Sequence, residues 1–167
     1  TKITTGQLSP GCKVCTEGGW SCLFLSLKCN AACFYCPRFK KMKSLVPTAD
    51  GLEFHSPQEY IQHLREYGFR GMSFSGGEPF LQFEKVCEFL TAIRAEFGKD
   101  FHVWLYTNGK LATPDRIKKL ADLGLNEIRF DISAKDYDLS PVRTAREFVK
   151  YVGVEIPAIP EDADRLI

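Results

Sequence analysis

Residues 21–28, Ser21-Cys22-Leu23-Phe24-Leu25-Ser26-Leu27-Lys28, run without a break into Cys29-Asn30-Ala31-Ala32-Cys33-Phe34-Tyr35-Cys36. The first eight form a mainly apolar run of strand length. The second eight put three thiols on the loop that follows, at C-x3-C-x2-C spacing. Strand-like runs recur at residues 70–75, 101–106, 126–132 and 153–159, and amphipathic helical stretches lie between them at 57–67, 81–97, 114–123 and 141–152. Ser56-Pro57-Gln58-Glu59 has the residues of a capping box with Pro in the first turn, and Thr113-Pro114 and Ser140-Pro141 repeat the start signal. Gly68, Gly98, Gly124 and Gly153 follow the four helices, where a left-handed C-cap is wanted. Strict β-α alternation predicts a parallel sheet with right-handed crossovers. The expected fold is α/β, a partial barrel of parallel (β/α) units. Five strands are visible, and a sixth unit begins as a helix at Glu161-Asp162-Ala163-Asp164. The expectation is a barrel cut short before that unit is complete, with residues 1–20 as a Cys-containing extension and 21–167 as the core.

The 167 residues suffice for one domain with a real core. An apolar fraction of 44% and a charged fraction of 26% are those of an ordinary globular chain. A net charge of +1 gives no global reason to expect nucleic acid or membrane as a partner. No apolar run approaches the roughly 18–20 residues that span a bilayer. The N-terminus lacks a signal-peptide layout, so a cytoplasmic protein is expected. Seven cysteines are many for this length, the count is odd, and five of them fall in the 22 positions from Cys15 to Cys36. That pattern points to metal rather than disulfides.

Three thiolates within eight residues can wrap one face of a cubane cluster and leave one of its irons open. The alternative is structural zinc, closed to four ligands by Cys12, Cys15 or Cys22. Other polar groups fall at predicted strand ends. Ser75-Gly76-Gly77-Glu78-Pro79 follows the second strand; its glycines permit close backbone approach, and Glu78 can accept from a cationic amine. A turn with a surface Glu is the plainer reading. Tyr106-Thr107-Asn108-Gly109 ends the third strand and is also a common turn. Asp131-Ile132-Ser133-Ala134-Lys135 ends the fourth, with Asp131 and Ser133 on one face by alternation. They suit either a ligand or a cap.

C-x3-C-x2-C with an aromatic before its last Cys resembles the signature of the radical S-adenosylmethionine (SAM) superfamily, over about residues 20–162. The segment 9–37 is similar to relatives of pyruvate formate-lyase activating enzymes. The resemblance implies a full or partial (β/α) barrel in which Cys29, Cys33 and Cys36 hold a 4Fe-4S cluster. The open iron would chelate S-adenosyl-L-methionine through its amino and carboxylate groups. Reductive cleavage would then give methionine and a 5′-deoxyadenosyl radical that abstracts hydrogen from a substrate. By the same resemblance, Gly76, Gly77, Glu78 and Pro79 form the SAM-amine motif. Thr107 and Asn108 lie near SAM, and Asp131 and Ser133 hold its ribose or carboxylate, with Lys135 as a further carboxylate partner. Tyr35 and Ile156 meet the adenine. Val154 to Glu161 looks like a diverged G-x-I-x-G-x-x-E segment in which Val154 and Ala158 replace both glycines. An electron donor such as flavodoxin or ferredoxin is implied, and the substrate is either a small molecule or a partner protein. The rival reading is a non-catalytic zinc- or iron–sulfur-binding module.

Cys12-x2-Cys15 has metal-pair spacing but no second pair in the chain. Cys87 lies on an apolar helix face and reads as core. Arg38, Lys40, Lys41 and Lys43 form a basic run that suits solvent, an acidic reductase or a phosphorylated substrate. The polar connection 37–55 is long enough to be a functional loop. His55, His63 and His102 show no ligand spacing and read as surface or packing residues.

Overall fold

A computed structural model of the chain describes residues 6–36 and 45–165. In chain order its elements are α1 (Pro10–Thr16), β1 (Trp20–Ser26), β2 (Thr48–Ala49), β3 (Leu52–Glu53), α2 (Pro57–Glu66), β4 (Gly71–Gly76), α3 (Phe83–Phe97), β5 (His102–Thr107), α4 (Pro114–Asp122), β6 (Glu127–Phe130), α5 (Ser140–Ala145) and β7 (Tyr151–Val154). The sheet order is β3-β2-β1-β4-β5-β6-β7. The pairs β1–β4, β4–β5, β5–β6 and β6–β7 are parallel. Each new parallel strand is laid on the same side of the last. With crossovers of one hand, that winding puts the helices on one face and curls the sheet. The result is the expected α/β partial parallel barrel.

Alternation along the strands divides the residues between two faces. Leu23, Phe74, Leu105 and Ile128 stand in register across β1, β4, β5 and β6. They are fully buried, in one core with Tyr60, Leu64, Leu90, Ile93, Ile117 and Leu120 from the helices. Cys87 joins that core. The other face carries Trp20, Cys22, Ser73, Trp104, Glu127 and Arg129. Small residues at Gly71 and Ser73 let Trp20 stack on Trp104 at 5.7 Å.

Arg129 ties this second face together. Its Nε donates to Glu127 at 2.7 Å, one Nη to Tyr106 and Glu155, and the other to Ser9 and the Cys12 sulfur. Glu127 also accepts from the Gly11 N–H at 3.1 Å and lies 2.9 Å from His102 Nε2. Helix α1 therefore docks on the inner face of β5 and β6. A Cβ on Gly11 would stand 2.7 Å from the Arg129 guanidinium and 2.8 Å from the Glu127 carboxylate, so a larger residue there would have to displace that pair.

Two of the three predicted helix starts are capped as the sequence implies; at the third, Ser140 is itself the first helical residue, Leu139 holds the cap position and no side chain caps it. Ser56 and Thr113 accept from Glu59 N–H and Arg116 N–H as N-caps. Gly68, Gly98 and Gly124 take positive φ at helix ends. Three expectations are corrected. The last helix ends at Ala145, and the strand predicted at 153–159 lies earlier, at Tyr151–Val154. Gly153 is therefore a strand residue and not a helix cap. Pro157 and Pro160 have no N–H to give a ladder, so pairing stops before them. The start of a sixth helix is instead a 3-10 turn, Pro160–Arg165. Within the connection 37–55, residues 48–53 form the β2–β3 hairpin, whose Asp50-Gly51 turn has both residues at positive φ. The basic run Arg38 to Lys43 lies outside the described residues. No helix among the described residues is long and apolar enough to cross a membrane.

Burial alone would raise the Glu127 carboxyl, but the His102 hydrogen bond and the Arg129 charge outweigh it and bring the group down to about 2. Its folded value lies below the ordinary 4.5. The stability it contributes is therefore full above about 4.5 and is lost as the pH falls toward 2. In urea unfolding across that acid range, Glu127→Gln should be less stable than the parent near neutrality and show a flatter loss on acidification. An equally steep loss in the variant would assign the acid sensitivity to other carboxylates.

Candidate active site

The ends of β1, β4, β5 and β6 meet at one rim of the sheet. The approach begins with two glycines. Gly76 has φ +111°, and a Cβ on it would stand 2.3 Å from the Ser26 carbonyl oxygen. A Cβ on Gly77 would stand 1.8 Å from the Lys28 carbonyl oxygen. The close approach these glycines permit is thus to the backbone at the end of β1. Gly77 N–H donates to Ser26 at 2.8 Å, and Glu78 N–H donates to Lys28 at 2.7 Å. Those bonds hold the strand end from which the cysteine loop departs.

Glu78 is 1% exposed. Its Oε1 accepts from Thr107 Oγ1 at 2.8 Å and Phe80 N–H at 3.0 Å, and its Oε2 accepts from Asn108 N–H at 2.8 Å. Burial pushes the carboxyl up, and the three donors pull the other way without cancelling it. Pro79 is buried and opens the 3-10 turn Pro79–Gln82. Thr107 Oγ1 also accepts from Gly109 N–H. The turn after β5 is therefore fixed to the end of β4 by a carboxylate.

Asn108 carries the connection on to the cysteines. Its Oδ1 accepts from Lys110 N–H at 3.0 Å. Its Nδ2 donates to Asn30 Oδ1 at 2.7 Å and stands 3.8 Å from Cys29 Sγ. The Ala31 N–H adds a second contact to that sulfur at 3.4 Å. Sequence reasoning missed Asn30, although an Asn directly after the first loop cysteine was the available signal.

Tyr35 reaches from the same loop to the end of β6. Its hydroxyl donates to Asp131 Oδ2 at 2.9 Å and also touches Ser133 Oγ. Asp131 caps the following turn by accepting from Ser133 N–H and from the Ser133 hydroxyl. Burial raises the Tyr35 hydroxyl, with Cys33 and Asp131 adding to the effect and Ser133 opposing it, so the phenol keeps its proton and donates. Asp131 N–H is bound to the Thr107 carbonyl at 2.9 Å, so the β5 and β6 ends are also joined. Lys135 turns away, to Asp138 and Ser140. Ile156 lies beyond β7, half-buried against the core.

All seven cysteines are free thiols. Cys29, Cys33 and Cys36 are half-buried on their loop. Cys22 sits on the inner sheet face, where burial raises its thiol and Ser73 Oγ stands 3.3 Å away. Cys12 contacts Arg129. Among the described residues no three or more Cys, His, Asp or Glu side chains converge where a single metal ion could sit. His63 and His102 are buried against Asp50 and Glu127 respectively, as packing residues.

Residues 23–153 match the model of the Radical SAM superfamily. The chain belongs to that family. It is 31% identical over 172 residues to a candidate glycyl-radical enzyme activating enzyme of Methanocaldococcus jannaschii, across 96% of this chain and 46% of that protein. It is 29% identical over 140 residues to the GTP 3',8-cyclase of Corynebacterium glutamicum, across 80% of this chain and 36% of that one. The chain thus spans less than half the length of these curated relatives. BtrN, solved in complex with AdoMet and 2-DOIA, superposes with a TM-score of 0.54 at 21% identity, over 77% of this chain and 54% of that one. That likeness is one of fold.

The Glu78 clamp gives a direct test. In Glu78→Gln, either orientation of the amide sets an N–H against the N–H of Phe80 or Asn108. A buried mismatch of this kind costs about 1–3 kcal/mol. Urea unfolding should show that loss, and hydrogen exchange at Asn108 N–H should speed up. A variant as stable as the parent would mean that the carboxylate is not what joins β4 to β5.

Proposed function

We propose that this chain carries the catalytic core of a radical SAM enzyme, with Cys29, Cys33 and Cys36 as ligands of a 4Fe-4S cluster and S-adenosyl-L-methionine bound beside it. The observation that carries the reading is the cross-bonding at the rim. The cysteine loop is tied to Asp131 and Ser133 through Tyr35, and to the Ser75–Pro79 segment through Asn108 and Glu78. Three unpaired thiols on one loop, with N–H groups facing the Cys29 sulfur, have the donor chemistry of a cluster site.

When bound, the cluster supplies the electron that cleaves SAM to methionine and a 5′-deoxyadenosyl radical, which takes a hydrogen atom from the substrate. The chain's own residues bind and orient. The backbone around Gly76 and Gly77, braced by Glu78 and Pro79, faces the SAM amine. Oε2 of Glu78 holds one bond, so that oxygen keeps a lone pair for a donor. Asp131 and Ser133 are acceptors for ribose hydroxyls, and Thr107 and Asn108 shape the floor beneath them. Tyr35 and Ile156 supply the surface for adenine. The activating-enzyme relative supports a partner protein as the hydrogen donor, and a flavodoxin or ferredoxin is the reductant.

Anaerobic reconstitution with iron and sulfide tests this. The parent should take up a cluster with sulfur-to-iron charge-transfer absorption and cleave SAM under dithionite. Cys33→Ala should lose both. A parent chain that binds only zinc would sink the reading in favour of a non-catalytic module.

A further inference from the structure

We infer that the Asn108 carboxamide is a positioning residue for the Cys29 thiolate, and that it raises the reduction potential of the group this thiolate binds. The inference rests on the function proposed above, and goes beyond it by assigning this side chain to the sulfur rather than to SAM. Asn108 is buried, and its backbone N–H and both polar atoms of its side chain are committed. The backbone N–H is held by Glu78, and Oδ1 is taken by the Lys110 N–H. An N–H must face an acceptor, so this bond fixes which end of the amide is which. The NH2 group then points toward the cysteine loop by exclusion. One hydrogen goes to Asn30 Oδ1, and the second faces Cys29 Sγ. The carboxamide cannot rotate away without breaking the Lys110 and Asn30 bonds together.

A donor aimed at a thiolate sulfur stabilises negative charge on it. In an iron–sulfur centre that favours the reduced, more electron-rich state. The Ala31 N–H acts on the same sulfur. No side-chain amide is bonded to the Cys33 or Cys36 sulfur among the described contacts. Among the described residues, Cys29 is the cysteine of the loop that a side-chain amide from outside the loop faces. The path from Glu78 through Asn108 to Cys29 also links the proposed SAM-amine segment to one cluster ligand through two successive contacts.

The test reconstitutes the parent and Asn108→Ala anaerobically, measures iron per chain, and then titrates the one-electron reduction of the cluster with dithionite. Asn108→Ala should retain full iron content. At a fixed poise its reduced-to-oxidised ratio should fall about tenfold, equivalent to a potential about 59 mV lower for one electron. A merely structural role would lower iron content and leave the potential of the remaining clusters unmoved. Full iron with an unchanged potential overturns the inference and leaves the proposed function standing. A parent that takes up no cluster overturns both. Should the alanine variant not fold, Asn30→Ala decides, since Asn30 is exposed and its oxygen aims the amide. A fall in its potential supports the inference, and an unchanged potential overturns it.

Discussion

A carboxylate taken out of water must be met by donors, and Glu78 meets three of them at the ends of two strands. That single requirement organises the rim. To bury the side chain, the backbone before it must press against the end of β1, and only glycines fit at Gly76 and Gly77. To satisfy the carboxylate, the turn after β5 must present Thr107 and the Asn108 N–H. The Asn108 side chain then has one direction left, toward Asn30 and Cys29. The geometry of the cysteine loop therefore descends from one buried acid and the strand order that brings β4 between β1 and β5.

The inner face depends on a second buried charge pair. Arg129 and Glu127 lie on one strand, two residues apart, and so share one face of the sheet. Each takes further partners from other elements, because a buried ion pair without additional hydrogen bonds does not recover its desolvation cost. Those partners are His102 on β5, Ser9 and Gly11 at the start of α1, and Glu155 after β7. The pair thus fixes the first helix and the last strand of the sheet to the same point. The helix-facing side, by contrast, is held mainly by apolar packing, with one polar link in which Tyr60 meets Ser21, and Ser21 and His63 meet Asp50. The two faces of the sheet are stabilised by different physics, and the polar one sets how the N-terminal segment docks.

The parallel core was legible because β-α alternation and capping residues act locally. Ser56-Pro57 and Thr113-Pro114 start helices wherever they occur. The same Ser-Pro signal at Ser9-Pro10 starts α1, a helix too short to leave a recurring apolar pattern beside its two cysteines. Asp50-Gly51 is a hairpin signal that was submerged in a polar stretch. The last helix and strand were misplaced because apolar periodicity at 141–159 cannot distinguish the two states, and Pro157 and Pro160 decided the outcome. At the site, the residue types at each strand end were readable, but their partners were not. Nothing local says that Glu78 faces Thr107, that Tyr35 reaches Asp131, or that Asn30 matters. Those pairings are made across separations of 29, 96 and 78 residues and exist only once the strands are side by side.

The rim groups differ in how freely they can exchange partners for a ligand. Glu78 is buried, and each of its donors is a backbone N–H or a strand-end hydroxyl. Withdrawing it would leave several polar groups unsatisfied at once. Asp131, Ser133 and Tyr35 are half-buried and bond mainly to one another. A ligand hydroxyl arriving there can replace the Tyr35 hydroxyl bond for bond, with little net change in hydrogen bonding. On the proposed reading, SAM would therefore bind against a rigid β4–β5 side and an exchangeable β6 side. Because Tyr35 belongs to the cysteine loop, any such exchange at Asp131 also releases that loop from β6. On that reading, ribose binding and the position of the cysteine loop would be coupled through a single phenol, while the Asn108 amide faces Cys29 from the opposite side.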